Sequence, residues 1–230
     1  MTDLTAELSS FLAARHVTMH GVADVALCRE RFPEAPWLAP EHFPHALVIA
    51  HPVLEGALET VVDQPTHLYF RHYGQVNRWL DRITLAAGVF LESQGYQALP
   101  IPASQTLDAL DLTAHLSHRH LGFMAGMGWR GRNNLLVNEQ HGSRIRLASV
   151  LTDAPLAIDG PRTEEQCGNC KLCAQACPAG AIGATADEFR LDKCHELLSE
   201  FRKIQRIGQR ICGVCQKACV RFKRKGGAGS

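Results

Sequence analysis

The sequence predicts an α/β fold, an α+β sandwich around a mixed sheet, followed by a small cysteine-rich module. Helical and strand-like apolar runs interleave over the first two-thirds of the chain without strict alternation. Eight of the nine cysteines lie in the last third at short, regular spacings. Asp159-Gly160-Pro161 forms a turn signal between these parts. We therefore expect an N-terminal domain at 1–158, a cysteine module at 159–225 and a flexible tail at 226–230.

The helices follow from apolar spacing and from end signals. Thr2 or Asp3 is a good capping residue for the first helix, and Gly95 is a stop for the long one. We expect helices at 3–15, 66–94, 114–127 and 191–204.

The strands follow from short apolar runs and from proline. Gly21–Leu27 and His45–Ala50 are predicted to be buried strands. Residues 96–102 are expected to be extended, because the residue before each proline is disfavoured in helical geometry. Residues 134–137 and 145–151 are predicted to form a hairpin joined at 138–142.

Composition is typical of a soluble globular protein, and we expect the chain to be cytoplasmic. The formal net charge is +1, with 46% hydrophobic and 20% charged residues. No run approaches the roughly 18 apolar residues that a membrane helix needs, and the N-terminus lacks the features of a signal peptide. In the cytoplasm thiols stay reduced and can bind iron. We expect no membrane partner.

The cysteine spacing predicts two [4Fe–4S] clusters in a bacterial ferredoxin-like module. The pattern is Cys167-x2-Cys170-x2-Cys173-x3-Cys177-Pro178, then Cys194, then Cys212-x2-Cys215-x3-Cys219. In this pattern three closely spaced cysteines hold one cluster, and the fourth ligates the other cluster. We therefore assign one cluster to Cys167, Cys170, Cys173 and Cys219, and the other to Cys177, Cys194, Cys212 and Cys215.

Zinc and disulfides are weaker interpretations of the same cysteines. Zinc motifs place two Cys-x2-Cys pairs well apart, unlike the run from Cys167 to Cys177. Disulfides are not expected in a cytoplasmic chain. Cys28 stands alone after a predicted strand, and we expect it to be a small buried hydrophobe.

A polar, glycine-containing segment is the best candidate for a cofactor pocket in the larger part. His115 and His118 are helical neighbours, but His120 projects elsewhere, so a metal site of three histidines is poorly supported. We expect polar lining of a cofactor pocket instead, although capping, packing or solvation could explain each residue. The candidate cofactor-binding residues are Ser104, His115, His118, Trp129, Arg130, Asn133 and Asn134.

Several motifs together resemble epoxyqueuosine reductase and its shorter double-cluster relatives. They are GMGWRGRNNLL from Gly126, CGNCKLCAQACPAGAI from Cys167 and CGVCQKAC from Cys212, within a resemblance over roughly 66–219. The resemblance implies an N-terminal domain that holds cobalamin base-off and two clusters that supply it with electrons. Reductive dehalogenases are implied as distant relatives.

The sequence also departs from that family. The family's proposed proton-donating aspartate lies in an Asp-[Ser/Thr]-x-Pro segment, whereas residues 102–108 read PASQTLD. We do not expect this chain to carry the helical repeats that grip tRNA in the full-length enzymes. Action on tRNA is therefore left open, while the redox core is retained.

We accordingly expect an enzyme, an iron–sulfur oxidoreductase that passes electrons through both clusters to a cofactor, with a corrinoid expected and a flavin as the alternative. An external low-potential donor of the ferredoxin or flavodoxin type is expected, with a small-molecule or modified-nucleoside substrate. Two other functions stay open: a non-catalytic electron carrier that docks a partner enzyme, and a nucleic-acid-binding protein that uses the basic stretch 201–225.

Overall fold

The structure is a computed structural model, and it describes residues 3–108, 113–161, 166–204 and 207–219. The helices are α1 (Leu4–Ala13), α2 (Val25–Arg31), α3 (Glu55–Glu59), α4 (His67–Ser93), α5 (His118–Met124), α6 (Leu172–Ala176) and α7 (Leu191–Ile204). The strands are β1 (Met19–Asp24), β2 (His45–Pro52), β3 (Ala98–Ile101), β4 (Thr106–Asp108), β5 (Thr113–Ala114), β6 (Trp129–Arg130), β7 (Leu136–Val137) and β8 (Ile145–Thr152). A further helical turn covers 214–219.

The chain forms two compact units, each built from three segments. The first unit contains Met1–His51, Val76–Gly128 and Arg146–Thr163. The second contains Pro52–Gln75, Trp129–Ile145 and Glu164–Ser230. The expected domains at 1–158 and 159–225 stay a prediction, because compactness does not show which segments fold independently. The tail at 226–230 lies outside the described residues.

The first unit is organised around a four-stranded sheet with the order β1-β2-β8-β3. β1 pairs antiparallel with β2, and β3 pairs antiparallel with β8. The two central strands are apolar and almost wholly buried, as expected where both faces of a sheet are covered. On α4, Leu80 and Leu91 are fully buried in the core, while Leu85 is 60% exposed, so one helical face packs inward.

The predicted α/β class is confirmed, and several elements match their predicted ranges. α7 spans Leu191–Ile204, as predicted, and α4 ends two residues before Gly95, which has a φ of 89°. α1 begins at Leu4 because the Asp3 carboxylate accepts a hydrogen bond from the backbone N–H of Thr5 at 3.0 Å.

Three expected elements were wrong in extent or pairing. The strand expected at Gly21–Leu27 stops at Asp24, whose carboxylate caps α2 by accepting from the backbone N–H of Leu27 at 2.9 Å. The hairpin expected between residues 134–137 and 145–151 does not form. β7 pairs with β6, whereas β8 belongs to the main sheet. α5 begins at His118, later than the expected residue 114.

The second unit has its own apolar core beside the cysteine module. Its buried members are Val53, Leu58, Val61, Tyr69, Ile207, Ile211 and Val214. The Tyr69 ring lies so close to Gly213 that a Cβ there would meet it at 2.9 Å, and Gly213 has a φ of 87°. Within the described ranges, none of the helices has the length and apolar character needed to cross a bilayer.

Candidate iron–sulfur site and cavities

The first cysteine run forms a turn followed by a short helix. The backbone N–H of Cys170 donates to the carbonyl of Cys167 at 2.9 Å, and Gly168 within this turn has a φ of 50°. A left-handed φ of this kind favours glycine. Cys173 follows on α6. This local geometry brings Cys167, Cys170 and Cys173 to one side of the loop. Two residues separate each cysteine from the next.

These three cysteines share a cavity of about 320 Å³ with Cys219. The same cavity is lined by Trp129, Arg132, Asn133, Val137, Asn138, Glu139, Gly142 and Gln166. Cys219 lies on the helical turn at 214–219, and it is the residue that the crossed ligand pattern assigns to this group. The cavity is thus lined by all four cysteines of the first predicted ligand set.

Electrostatic proximity groups the same four thiols. Burial raises the pKa of Cys173 to about 11, and the neighbouring thiols of Cys219, Cys167 and Cys170 add to the rise. Burial also raises the pKa of Cys219, while hydrogen bonds from Ser143 oppose the rise. Iron has to displace protons from such thiols, because only the thiolate is a ligand.

The other four thiols form a second group in the same unit. Burial, followed by the nearby Cys177 thiol, raises the pKa of Cys194 to about 11. Burial raises the pKa of Cys212 to about 11 and that of Cys215 still further, and Cys194 and Cys177 contribute to both. Cys173 also contributes to the shift of Cys215. The two groups are therefore neighbours, and Cys173 and Cys215 are the thiols at which they adjoin.

Side-chain and backbone donors point at the sulfur atoms. The Trp129 indole Nε1 donates to Cys167 Sγ at 3.5 Å, and the backbone N–H of Ala181 donates to Cys177 Sγ at 3.5 Å. Gly142, with a φ of 58°, approaches the first group closely: a Cβ there would lie 3.0 Å from Cys219 Sγ. These donors and this tight packing favour charged sulfur ligands.

All nine cysteines are free thiols. Cys28 is buried, and burial raises its pKa to about 12, with the Asp24 carboxylate adding to the rise. Across the described residues, no group of three His, Cys, Asp or Glu side chains is arranged to hold a single metal ion.

Four of the predicted pocket residues lie in the second unit. Trp129 and Asn133 line the cysteine cavity, and the Asn133 amide donates to Ser143 Oγ at 2.9 Å. Arg130 forms an ion pair with Asp187 at 3.0 Å. Asn134 has a φ of 58°, and its backbone N–H donates to the carbonyl of Gly131 at 2.8 Å.

The other three predicted residues lie in the first unit. Ser104 Oγ accepts from the Asn77 amide at 2.7 Å and lies 3.5 Å from an Arg146 guanidinium nitrogen. The backbone carbonyl of His115 accepts from the N–H of Leu38 at 2.7 Å. The buried Nδ1 of His115 has no hydrogen-bond partner among the described residues.

His118 is held by its neighbours through both ring nitrogens. Nδ1 lies 2.9 Å from Ser149 Oγ, and Nε2 lies 2.9 Å from the carbonyl oxygen of Pro102. Burial lowers the pKa of His118 to about 4; the Pro102 carbonyl opposes the shift and Arg146 adds to it. The ring is therefore neutral at pH 7. A cofactor-binding role for all seven candidate residues stays a prediction.

The first unit contains a cavity that the sequence reasoning missed. Its volume is about 580 Å³, within the range of small-molecule sites. Its walls include Cys28, Arg29, Phe32, Trp37, Ser117 and His120. The His120 ring stacks on Phe32 with centroids 4.2 Å apart. The sequence signal that could have indicated this cavity was Trp37 within a proline-rich connector. No local pattern predicts that this connector and α5 line the same cavity.

The basic stretch is only partly described. Arg202 and Lys203 are exposed at the end of α7. The Arg210 guanidinium donates to Ser199 Oγ at 3.0 Å, and Lys217 Nζ donates to the carbonyls of Glu59 and Val61. Residues 205–206 and 220–225 of this stretch lie outside the described residues.

Comparisons with known proteins support the sequence interpretation. Residues 162–183 match the model of the 4Fe-4S binding domain, so the predicted iron–sulfur function of this segment is confirmed. The epoxyqueuosine reductase of Yersinia pestis is 38% identical over 117 residues, which is 46% of this chain and 28% of that protein. The predicted resemblance is thereby confirmed, although this chain spans only about a third of such relatives.

Solved structures show the same fold. A reductive dehalogenase whose structure suggests a mechanism for B12-dependent dehalogenation has a TM-score of 0.69 at 18% identity, covering 92% of this chain and 30% of that one. An epoxyqueuosine reductase with an epoxyqueuosine-modified tRNA-Tyr stem loop has a TM-score of 0.59 at 21% identity, covering 96% and 65%. The chain is therefore similar in fold to two kinds of reductase and in sequence to epoxyqueuosine reductases.

Gly142→Ala should lower the iron content of the anaerobically reconstituted protein. The new Cβ would press on Cys219 Sγ, and a left-handed backbone adds about 1 kcal/mol of strain. Gly160→Ala is the matched control, because Gly160 has a φ of 70° and no atom of the described residues lies within 4 Å of an added Cβ. Equal iron per chain in both variants would contradict the close packing of residue 142 on the ligand.

Because the folded protein holds His118 neutral, the free energy of unfolding should decrease as the pH falls. The pKa of His118 is about 4 when folded and 6.5 in an unperturbed chain, so the unfolded state binds more protons between these values. Its contribution, up to about 3 kcal/mol, is present above pH 6.5 and is lost as the pH falls towards 4. Unfolding free energies of His118→Gln should depend less on pH, whereas exposed His42→Gln should match the parent. Parallel pH curves for all three proteins would refute this.

Proposed function

We propose that this chain is an iron–sulfur oxidoreductase that passes electrons through two [4Fe–4S] clusters to an acceptor bound by its N-terminal domain. The observation that carries the proposal is the division of eight cysteine thiols into two neighbouring groups of four. One group lines a single cavity. A thiolate donor set of this kind suits iron–sulfur clusters.

The residues present fit the two clusters. The first would be held by Cys167, Cys170, Cys173 and Cys219, and the second by Cys177, Cys194, Cys212 and Cys215. The second set is supported by mutual electrostatic effects among its thiols. The proximity of Cys173 and Cys215 supports placing the two clusters side by side.

A bound [4Fe–4S] cluster supplies a one-electron couple. The chain's own residues would shape the site in which that couple operates. The Arg132 guanidinium donates to the carbonyl of Gly168 and holds the turn between Cys167 and Cys170. Trp129 and Ala181 donate to ligand sulfur atoms and stabilise their negative charge. Val137, which is 4% exposed, helps to exclude water from the first cavity.

The acceptor that we propose is a corrinoid, and the proposal rests on the similarity to a reductive dehalogenase associated with B12. Among the described residues, two of the candidates in the first unit already use their polar atoms on other groups. Ser104 and His118 direct their polar atoms at Asn77, Ser149 and Pro102. We therefore derive no chemical step through a corrinoid.

The partners follow from the same redox interpretation. We propose an external low-potential donor of the ferredoxin or flavodoxin type and a small-molecule or modified-nucleoside substrate. The cavity of about 580 Å³ in the first unit is of suitable size for a small molecule. A non-catalytic electron carrier is the second candidate function, because the same two cysteine groups would serve it. The internal hydrogen bonds of Arg210 and Lys217 make these two residues less available for nucleic acid.

Paired cysteine variants should reveal which cysteines share a cluster. In the crossed assignment, Cys170→Ser/Cys219→Ser damages one cluster and retains about four irons per chain, whereas Cys170→Ser/Cys177→Ser damages both. In a linear assignment of Cys167–Cys177 to one cluster, the two outcomes are exchanged. Iron and sulfide analysis after anaerobic reconstitution measures the difference, and Cys28→Ala is the control that should keep about eight irons.

Cobalamin binding separates the reductase from the simple carrier. The anaerobically reconstituted protein should bind cob(II)alamin with near one-to-one stoichiometry, because an acceptor has to be held close to a cluster to be reduced. Absorbance and EPR spectra of the protein after gel filtration measure the bound corrinoid. An intact two-cluster protein that retains no corrinoid at micromolar concentration would exclude the corrinoid acceptor and favour the carrier.

A further inference from the structure

A network of buried polar side chains lies behind the first cysteine group. Ser143 is completely buried, and Tyr69, Asn133 and Gln216 are at most 7% exposed. Buried polar groups are retained at low cost only when hydrogen bonds satisfy them. The partners of these four residues therefore indicate what the network does.

The network converges on Ser143. The Tyr69 hydroxyl donates to Gln216 Oε1 at 2.9 Å, and Gln216 Nε2 donates to the backbone carbonyl of Ser143 at 3.0 Å. The Asn133 amide donates to Ser143 Oγ at 2.9 Å. Because Oγ accepts this bond, its own proton is free to point elsewhere. Both the hydroxyl and the backbone N–H of Ser143 form hydrogen bonds with the Cys219 thiol.

A second side-chain donor reaches the same cysteine group from another direction. Trp129 Nε1 can only donate, and it lies 3.5 Å from Cys167 Sγ. Trp129 is 7% exposed, so its indole is fixed by packing. The first group thus receives side-chain hydrogen bonds on two of its four sulfur atoms.

The second cysteine group differs in this respect. Backbone N–H groups donate to it, from Ala181 to Cys177 and from Val214 to Cys212. Within the described ranges, its sulfur atoms receive no side-chain hydrogen bond. Cys173 of the first group also receives a backbone bond, from Ala174. The side-chain donors are therefore the difference between the groups.

Reduction of a cluster adds one electron from an external reductant, and no bond to the protein forms or breaks. The reduced cluster is the more negative state, so hydrogen-bond donors to its sulfur ligands stabilise it and raise the reduction potential. We propose that Trp129 and Ser143 hold the potential of the Cys167–Cys170–Cys173–Cys219 cluster above that of its neighbour, with Asn133 and Gln216 as positioning residues for Ser143.

This inference rests on the two-cluster function proposed above, and it goes further by assigning an order of reduction. The first electron that enters the protein resides on the cluster next to Trp129. The neighbouring cluster accepts an electron at a lower potential.

The test is an anaerobic redox titration of the reconstituted protein, monitored by EPR. In Trp129→Phe and in Ser143→Ala, the higher of the two midpoint potentials should fall, while the lower one stays unchanged. We expect the reduction equilibrium to shift about tenfold per lost donor, which corresponds to about 59 mV for one electron. Trp79→Phe is the matched control, since Trp79 lies in the first unit against His51, and it should leave both potentials unchanged.

The identity of the cluster is tested in a Cys212→Ser background, which retains only the cluster next to Trp129. Trp129→Phe should lower the single remaining potential there. Asn133→Ala should lower it less than Ser143→Ala does, and it should add little in the Ser143→Ala background, since both act through one hydroxyl.

Unchanged potentials, or equal shifts of both clusters, would overturn the inference while leaving the two-cluster function intact. A parent protein without two reducible clusters would instead refute the proposed function. If Trp129→Phe loses iron, Ser143→Ala and its cycle with Asn133→Ala still decide the question.

Discussion

The architecture of the second unit depends on the return of Cys219 to the loop that carries the first cysteine run. Three of the four thiols in the 320 Å³ cavity come from one short loop, but the fourth comes from a segment more than forty residues later in the chain. Packing of the intervening segment on Tyr69, together with the close approach of Gly142, places the last sulfur. The position of the four thiols in the cavity therefore depends on the packing of the apolar core of this unit.

Charge is the second constraint on this arrangement. Eight sulfur atoms that ionise close together repel one another, and burial strengthens that repulsion. The protein offsets it with N–H and O–H donors directed at individual sulfur atoms, from the Trp129 indole to the backbone of Ala181. The same donors that make the site tolerable before metal insertion then influence the electron affinity of what binds there.

Local signals in the sequence predicted the long helices well, while the two cysteine ligand sets stay a prediction. The spacing from Cys167 to Cys177 has few structural solutions, and α4 and α7 carry clear apolar periodicity. The errors arose where contacts between distant parts of the chain determine the end or the pairing of a strand. Asp24 ends β1 by capping a helix, and β8 pairs with distant strands rather than with its sequence neighbour β7. Ser143 carried no local signal, because its importance depends on contacts with Asn133, Gln216 and Cys219.

The proposed crossed ligand pattern would have a consequence for biosynthesis. Cys219 is translated after the other seven cysteines of the module, yet it lines the same cavity as Cys167. Before Cys219 is synthesised, a nascent chain presents only three of the four thiols that line this cavity. Full coordination of a cluster in this cavity would then have to wait until synthesis has passed Cys219.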